Sequence, residues 1–198
     1  MFKKEWIYRE IACASLSEKG RKFTQLALSK KFSISLSTVN HAIAPLRENG
    51  IIAPLSRGFR LISLPRLLAL WGSERRLSRE TLFSGTAISV REAEKLAPSG
   101  AIWGGFSAYC LRYKETPADY SVLILYSTLH ELPEIQKRMA AKGNVVLFVL
   151  KKDRFMGEHS KSGLSSDPQI YADLWNRSEW YAADFRRALE KRMGFEGL

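Results

Sequence analysis

Cysteine is nearly absent from this 198-residue chain, and long apolar runs are absent altogether. Cys13 and Cys110 stand far apart, each in an apolar helical context, so the pattern argues against a disulfide or a cysteine metal site and predicts two buried thiols. Histidine is equally sparse: His41, His130 and His159 are scattered, and no ligand spacing joins them. The longest purely apolar stretch, Val145 to Leu150, falls far short of the roughly 20 residues a membrane helix needs. Met1-Phe2-Lys3-Lys4-Glu5-Trp6 lacks the uninterrupted apolar region of a signal peptide, so a cytoplasmic protein is expected.

Catalytic signatures are missing as well. A polymerase-type nucleotidyltransferase needs Gly-Ser followed by paired aspartates that hold two metals about 4 Å apart. Gly72-Ser73 is present, but no Asp-x-Asp follows. A common metal-dependent nuclease needs an acidic residue and then Asp or Glu-x-Lys; Pro117-Ala118-Asp119 could supply the first part, and nothing supplies the second. There is no phosphate-binding Walker loop, no Gly-x-Gly-x-x-Gly and no Gly-x-Ser-x-Gly elbow. The expectation is a protein that is not an enzyme and has no cofactor or metal, the alternative being a nucleic-acid-processing enzyme with an unrecognised active site.

Acidic residues are in short supply, 20 against 31 Lys and Arg, and the shortage is uneven. Residues 1–80 hold 15 basic and 6 acidic residues, a net of +9, whereas residues 81–198 hold 16 and 14, a net of +2. Nearly all of the excess lies on the N-terminal part, as a phosphate-binding surface requires.

That part also carries the clearest pattern. Thr24 and Ser35 are good N-cap residues, and each is framed by a hydrophobic staple, Phe23 with Leu28 and Ile34 with Val39. The spacing predicts one helix from Thr24 to Phe32 and a second from Ser35 to Glu48, closed by Asn49-Gly50. In the second helix Val39, Ile43 and Leu46 recur at helical spacing and point to the core, leaving Ser37, Asn40 and His41 on the opposite face with Thr38 at its edge. Short polar side chains there suit base edges or phosphates when a helix enters a major groove N-terminus first. Residues 51–62 read as a two-stranded wing, and Lys30, Lys31, Arg57 and Arg60 flank the reading helix. An ordinary helical pair would share the caps; the charge asymmetry favours DNA. The expected DNA-binding residues are Lys30, Lys31, Ser35, Ser37, Thr38, Asn40, His41, Arg57 and Arg60.

The run Leu28-Ser29-Lys30-Lys31-Phe32-Ser33-Ile34-Ser35-Leu36-Ser37-Thr38-Val39 resembles the winged helix-turn-helix of prokaryotic transcription regulators, which often read Leu-Ala-x-x-hydrophobic-Gly-hydrophobic-Ser-x-Ser-Thr-Val. Ser29 replaces the usual Ala, and Ser33 replaces the Gly whose positive φ makes the turn easily. Pro45 sits inside the second helix, where a bend toward the wing is expected.

A first helix is expected from Lys3 to Ser17 and a short one from Leu64-Pro65 through Trp71. Gly72 to Glu80 is charged and reads as a core-free boundary, giving a winged helix-turn-helix DNA-binding domain at 1–80 and an α/β domain at 81–198. In the second part, strands are expected at Thr81–Ser84 and Ala101–Trp103, with helices at Val90–Leu96 and Ser107–Tyr113. Val122–Tyr126 and Val145–Leu150, joined by a helix around Ile135 and Met139, read as a βαβ crossover with both sheet faces covered. A mobile loop at Asp153–Asp167 leads to two final helices, about Pro168–Trp175 and Ser178–Met193, the latter capped by Ser178. Trp175, Trp180 and Tyr181 are expected in the core, Asp173 and Asp184 toward solvent, and Ser107 as a helix start. Gly104-Gly105 has the form of a weak phosphate cradle.

Over nearly its whole length the chain resembles the AbiEi family of transcription regulators, antitoxins of type IV toxin–antitoxin systems. The resemblance is carried by the N-terminal helix-turn-helix, Thr81-Leu82-Phe83-Ser84-Gly85-Thr86, Gly104-Gly105-Phe106-Ser107-Ala108-Tyr109 and Tyr171-Ala172-Asp173-Leu174-Trp175. It implies binding to double-stranded promoter repeats, autoregulation of the promoter and a C-terminal domain used in antitoxicity or regulation. A nucleotidyltransferase-like toxin is implied as a possible partner; a homodimer would match a two-fold operator.

Overall fold

The computed structural model describes residues 3–18, 20–139 and 142–195, and no helix among them is long and apolar enough to cross a membrane. The described residues form a mixed α/β structure with two sheets, and the contacts divide the chain into two compact units, residues 1–74 and 75–197.

The first unit contains α1 (Lys3–Ser17), β1 (Lys22–Phe23), α2 (Gln25–Phe32), α3 (Leu36–Glu48), β2 (Ile52–Leu55), β3 (Gly58–Leu61) and α4 (Leu64–Glu74). The helices form where the caps place them. Thr24 Oγ1 accepts from Ala27 N at 3.1 Å, and Ser35 Oγ accepts from Thr38 N at 3.1 Å, each satisfying a first-turn N–H. The apolar stripes meet in one core built from Ile7, Tyr8 and Ile11 of α1, Leu28 and Phe32 of α2, Val39, Ile43 and Leu46 of α3, and Leu67, Leu68 and Trp71 of α4. Each such side chain contributes about 1.5–3 kcal/mol on burial. Glu5 is buried with them and accepts from the Trp71 indole at 3.0 Å, joining α1 to α4.

The β2–β3 hairpin continues into a three-stranded antiparallel sheet, because the two-residue β1 pairs with β3. That third strand was not expected. It stacks Phe23 on its register partner Phe59, ring centroids 5.7 Å apart. Gly58 makes the approach possible: at φ +99° it closes the hairpin, and a Cβ there would lie 2.0 Å from the Phe23 carbonyl oxygen.

The second unit holds β4 (Thr81–Ala87), α5 (Val90–Glu94), β5 (Ile102–Gly104), α6 (Gly105–Tyr113), β6 (Val122–Ser127), α7 (Leu132–Arg138), β7 (Val145–Lys151), α8 (Asp167–Trp175) and α9 (Ala182–Met193). Its sheet has the order β4-β7-β6-β5. The central pair is parallel, with Ile124 opposite Phe148, so the α7 connection is the expected βαβ crossover. The flanking strands pair antiparallel. β6 is buried along its whole length, which is why it reads as an unbroken apolar run. Phe106 anchors an aromatic cluster between α6 and α9, with Tyr181 and Phe185 both at 4.9 Å in edge-to-face contact.

Several expectations need correction. The stretch from Gly72 to Glu80 is not core-free: Arg75, Leu77 and Glu80 are buried, because the positive and negative side chains pair and a short 3₁₀ turn folds Leu77 inward. Ser178 does not cap α9, which begins at Ala182 without a side-chain cap, and Ser107 lies within α6 instead of starting it. Trp180 is 75% exposed, while Trp175 is half-buried and Tyr181 buried. Cys13 and Cys110 are free and only half-buried. The loop between β7 and α8 is tied to β5 by Trp103 N donating to Gly163 O at 2.8 Å and Ser165 N donating to Trp103 O at 2.9 Å.

Candidate nucleic-acid interface

The first turns of α3 present a polar face because its opposite face is fixed. Val39, Ile43 and Leu46 are fully buried, and helical phase then turns Ser37, Asn40 and His41 outward, where all three are exposed. Ser35 and Thr38 are committed locally. Ser35 Oγ holds the Thr38 N–H and shares a 2.9 Å hydroxyl–hydroxyl hydrogen bond with Thr38 Oγ1, so these two shape the helix start more than they offer free donors.

The turn before α3 explains both departures from the usual pattern. Ser33 adopts φ 51°, ψ 49°, the left-handed region, at a cost of about 1–2 kcal/mol relative to a right-handed residue. Ser29 stands where Ala is usual and donates its hydroxyl to Ile34 O at 2.6 Å, a tie across the turn that Ala could not make. Pro45 removes an N–H from α3, yet the helix runs on to Glu48, and the Pro45 carbonyl accepts from both the backbone N–H and the side-chain amide of Asn49.

The expected cations are not equivalent. Lys30 is exposed in the last turn of α2, Arg57 is exposed in the hairpin turn, and Arg60 is exposed on β3. Lys31 is exposed too, but its ammonium is paired with Glu10 at 2.6 Å and lies near the Phe32 ring. A cation bound to a mostly buried carboxylate is a weaker phosphate ligand than a free one. Sequence reasoning missed Lys22, which pairs in register with Arg60 across β1 and β3, and Arg47, which with Thr24, Gln25, Pro54 and Phe59 lines a cavity of about 280 Å³. The like charges of Lys22 and Arg60 opposite each other repel, and an anion between them would relieve the repulsion.

A second polar constellation lies inside the C-terminal unit. Asp173, expected at the surface, is fully buried on α8. Its Oδ1 accepts from Tyr126 Oη at 2.5 Å and from Gln169 Nε2 at 2.9 Å, with Arg75 Nε 3.2 Å away. Arg75 also reaches Glu80 at 3.1 Å and donates to Tyr126 Oη at 2.7 Å. Burial pushes the Tyr126 phenol well above its ordinary value, so it stays un-ionised and donates to Asp173. The expected phosphate cradle is filled by this group: a Cβ on Gly104 would lie 2.7 Å from Asp173 Oδ2. Glycine is required there so that the carboxylate can pack against the strand end.

The chain matches no protein-family model, no curated protein and no solved structure.

Proposed function

We propose that residues 1–74 form a winged helix-turn-helix that binds double-stranded DNA sequence-specifically, with α3 as the reading helix and the β2–β3 hairpin as the wing, and that the protein regulates transcription from its own promoter. The observation that carries this reading is the joint exposure of Ser37, Asn40 and His41 on the N-terminal half of α3, together with the exposure of Lys30, Arg57 and Arg60, on the part of the chain that holds most of the net positive charge.

The second unit we read as a non-catalytic regulatory module. Its buried ionisable side chains Arg75, Glu80, Tyr126 and Asp173 are enclosed and engaged with one another, which suits structure better than turnover. The resemblance to AbiEi-type antitoxins makes a nucleotidyltransferase-like toxin the partner to try first, and a homodimer would suit a repeated operator. The test is a mobility-shift assay on the region upstream of the gene. Binding should weaken linearly in log affinity against log salt. Asn40→Ala or His41→Ala should each cost about 1–3 kcal/mol at one base position, whereas Arg57→Ala and Arg60→Ala should weaken every sequence alike and flatten the salt slope. Salt-insensitive binding, or wing variants that alter sequence preference while the helix variants do not, would overturn the assignment.

A further inference from the structure

A cavity of about 350 Å³ opens within the C-terminal unit, and its volume is at the lower end of the range for small-ligand sites. Its floor is set by strand register. Ile124 and Phe148 are partners on the parallel strands β6 and β7, and Leu150 lies two residues along from Phe148 on the same face of β7. Ile124 and Leu150 are buried, while Phe148 is half-buried toward the mouth. Leu77, on the 3₁₀ turn before β4, forms an apolar wall, and Ser78 beside it is exposed. The salt bridges of Arg75 to Glu80 and Asp173 fix that turn at both ends, so the wall is preorganised.

The polar group at the mouth is Arg177, just beyond the end of α8. Its guanidinium lies over the Phe148 ring, 4.9 Å from the centroid. Nε donates to Glu179 at 3.0 Å and Nη2 donates to the same carboxylate, so one edge of the guanidinium is held by two parallel hydrogen bonds and its plane is fixed. Nη1 makes no hydrogen bond among the described residues and stays available as a charge-assisted donor.

We infer that this cavity binds a small planar aromatic monocarboxylate, its ring on the Ile124–Phe148–Leu150 floor and its carboxylate on Arg177 Nη1. A floor made by adjacent strands favours a flat ligand over a branched one. One remaining donor edge suits one carboxylate, and Glu179 beside it disfavours a second negative charge. The inference does not depend on the DNA-binding reading.

The experiment uses the full-length protein with labelled Ile and Leu methyl groups, titrated with salicylate and indole-3-acetate and, in parallel, with their neutral amides. The acids should shift the Ile124 and Leu150 methyls and bind at least about tenfold more tightly than the amides, the difference expected for a hydrogen bond to a charged group. Arg177→Met should remove that preference, and Ser78→Trp, a change at an exposed position, should fill the mouth and abolish binding by acid and amide alike. Equal affinity for acid and amide, retained preference in Arg177→Met, undiminished binding in Ser78→Trp, or no shift of these methyls up to about 10 mM, a concentration at which even a contribution near 3 kcal/mol saturates appreciably, would each reject the site. Should Arg177→Met fail to fold, the acid–amide comparison and Ser78→Trp decide the matter.

Discussion

Removing the Asp173 carboxylate tests whether the buried polar group holds the C-terminal unit together. In Asp173→Ala, Arg75 keeps Glu80 at 3.1 Å but loses the carboxylate 3.2 Å from its Nε, while Tyr126 Oη and Gln169 Nε2 lose the acceptor they share. Breaking a buried ion pair by deleting one partner costs about 3–5 kcal/mol, and each orphaned buried donor adds roughly 1–3 kcal/mol if nothing relaxes. These terms overlap, so a loss of about 4 kcal/mol is expected, a large part of the 5–15 kcal/mol typical of a whole domain. Hydrogen exchange of the β6 and β7 amides reads this locally, which matters in a chain with two units that need not unfold together. The triple variant Arg75→Met, Glu80→Leu, Asp173→Leu should recover most of the loss, because replacing all the charges by apolar groups removes their desolvation cost as well. A loss below about 1 kcal/mol in Asp173→Ala would refute the argument, since it would mean that Arg75 carries its charge equally well without this partner.

Gly58→Ala should destabilise the N-terminal unit by about 2–4 kcal/mol and separate β1 from β3, read as lost protection of the Phe59 amide region, because the new methyl meets the Phe23 carbonyl. Ser33→Gly should raise stability by about 0.5–1 kcal/mol in urea unfolding, the relief of left-handed strain exceeding the entropy glycine adds to the unfolded chain. Glu131 is pushed up by burial, but the Thr128 N–H and the Ser127 and Thr128 hydroxyls, all within 2.9 Å, hold it below the usual glutamate range. Its stabilisation is therefore complete above the unfolded value near about 4.3 and is lost as pH falls through the lower folded value. The difference in stability between wild type and Glu131→Gln should accordingly shrink on acidification, and a difference constant from pH 7 to pH 3 would contradict it.

The elements that could be read from the chain are those with a local cause. Thr24 and Ser35 mark their helices by themselves, and the parallel β6–β7 pair announces itself by the unbroken apolar runs Val122–Leu125 and Val145–Leu150. β1 has only two residues, too few for any periodicity, and exists because Phe59 offers Phe23 a ring to stack on. The Arg75–Asp173 group escaped notice for the same reason. Arg75 lies in a charged stretch, Tyr126 in an apolar strand and Asp173 on a helix, and sequence pattern does not say which distant charges will meet. A signal was nevertheless present: Gln169 and Asp173 are a polar i, i+4 pair on a helix that is otherwise apolar after its first residue, Asp167, so both turn the same way.

The polar face of α3 was legible for the converse reason. Once Val39, Ile43 and Leu46 are inward, the direction of Ser37, Asn40 and His41 is decided by helical phase and needs no knowledge of the rest of the chain. Its electrostatics do depend on that knowledge. The 15 cations of residues 1–80 include Lys31, paired with Glu10 from α1, Lys4, paired with Glu74, and Arg75, enclosed by Glu80 and Asp173. Each phosphate contacted releases counterions and adds about 0.9 to the salt slope, so only cations that can reach a phosphate count. The slope should therefore follow Lys22, Lys30, Arg47, Arg57 and Arg60, which stand exposed, and not the formal charge of the segment, part of which is committed to holding the fold together.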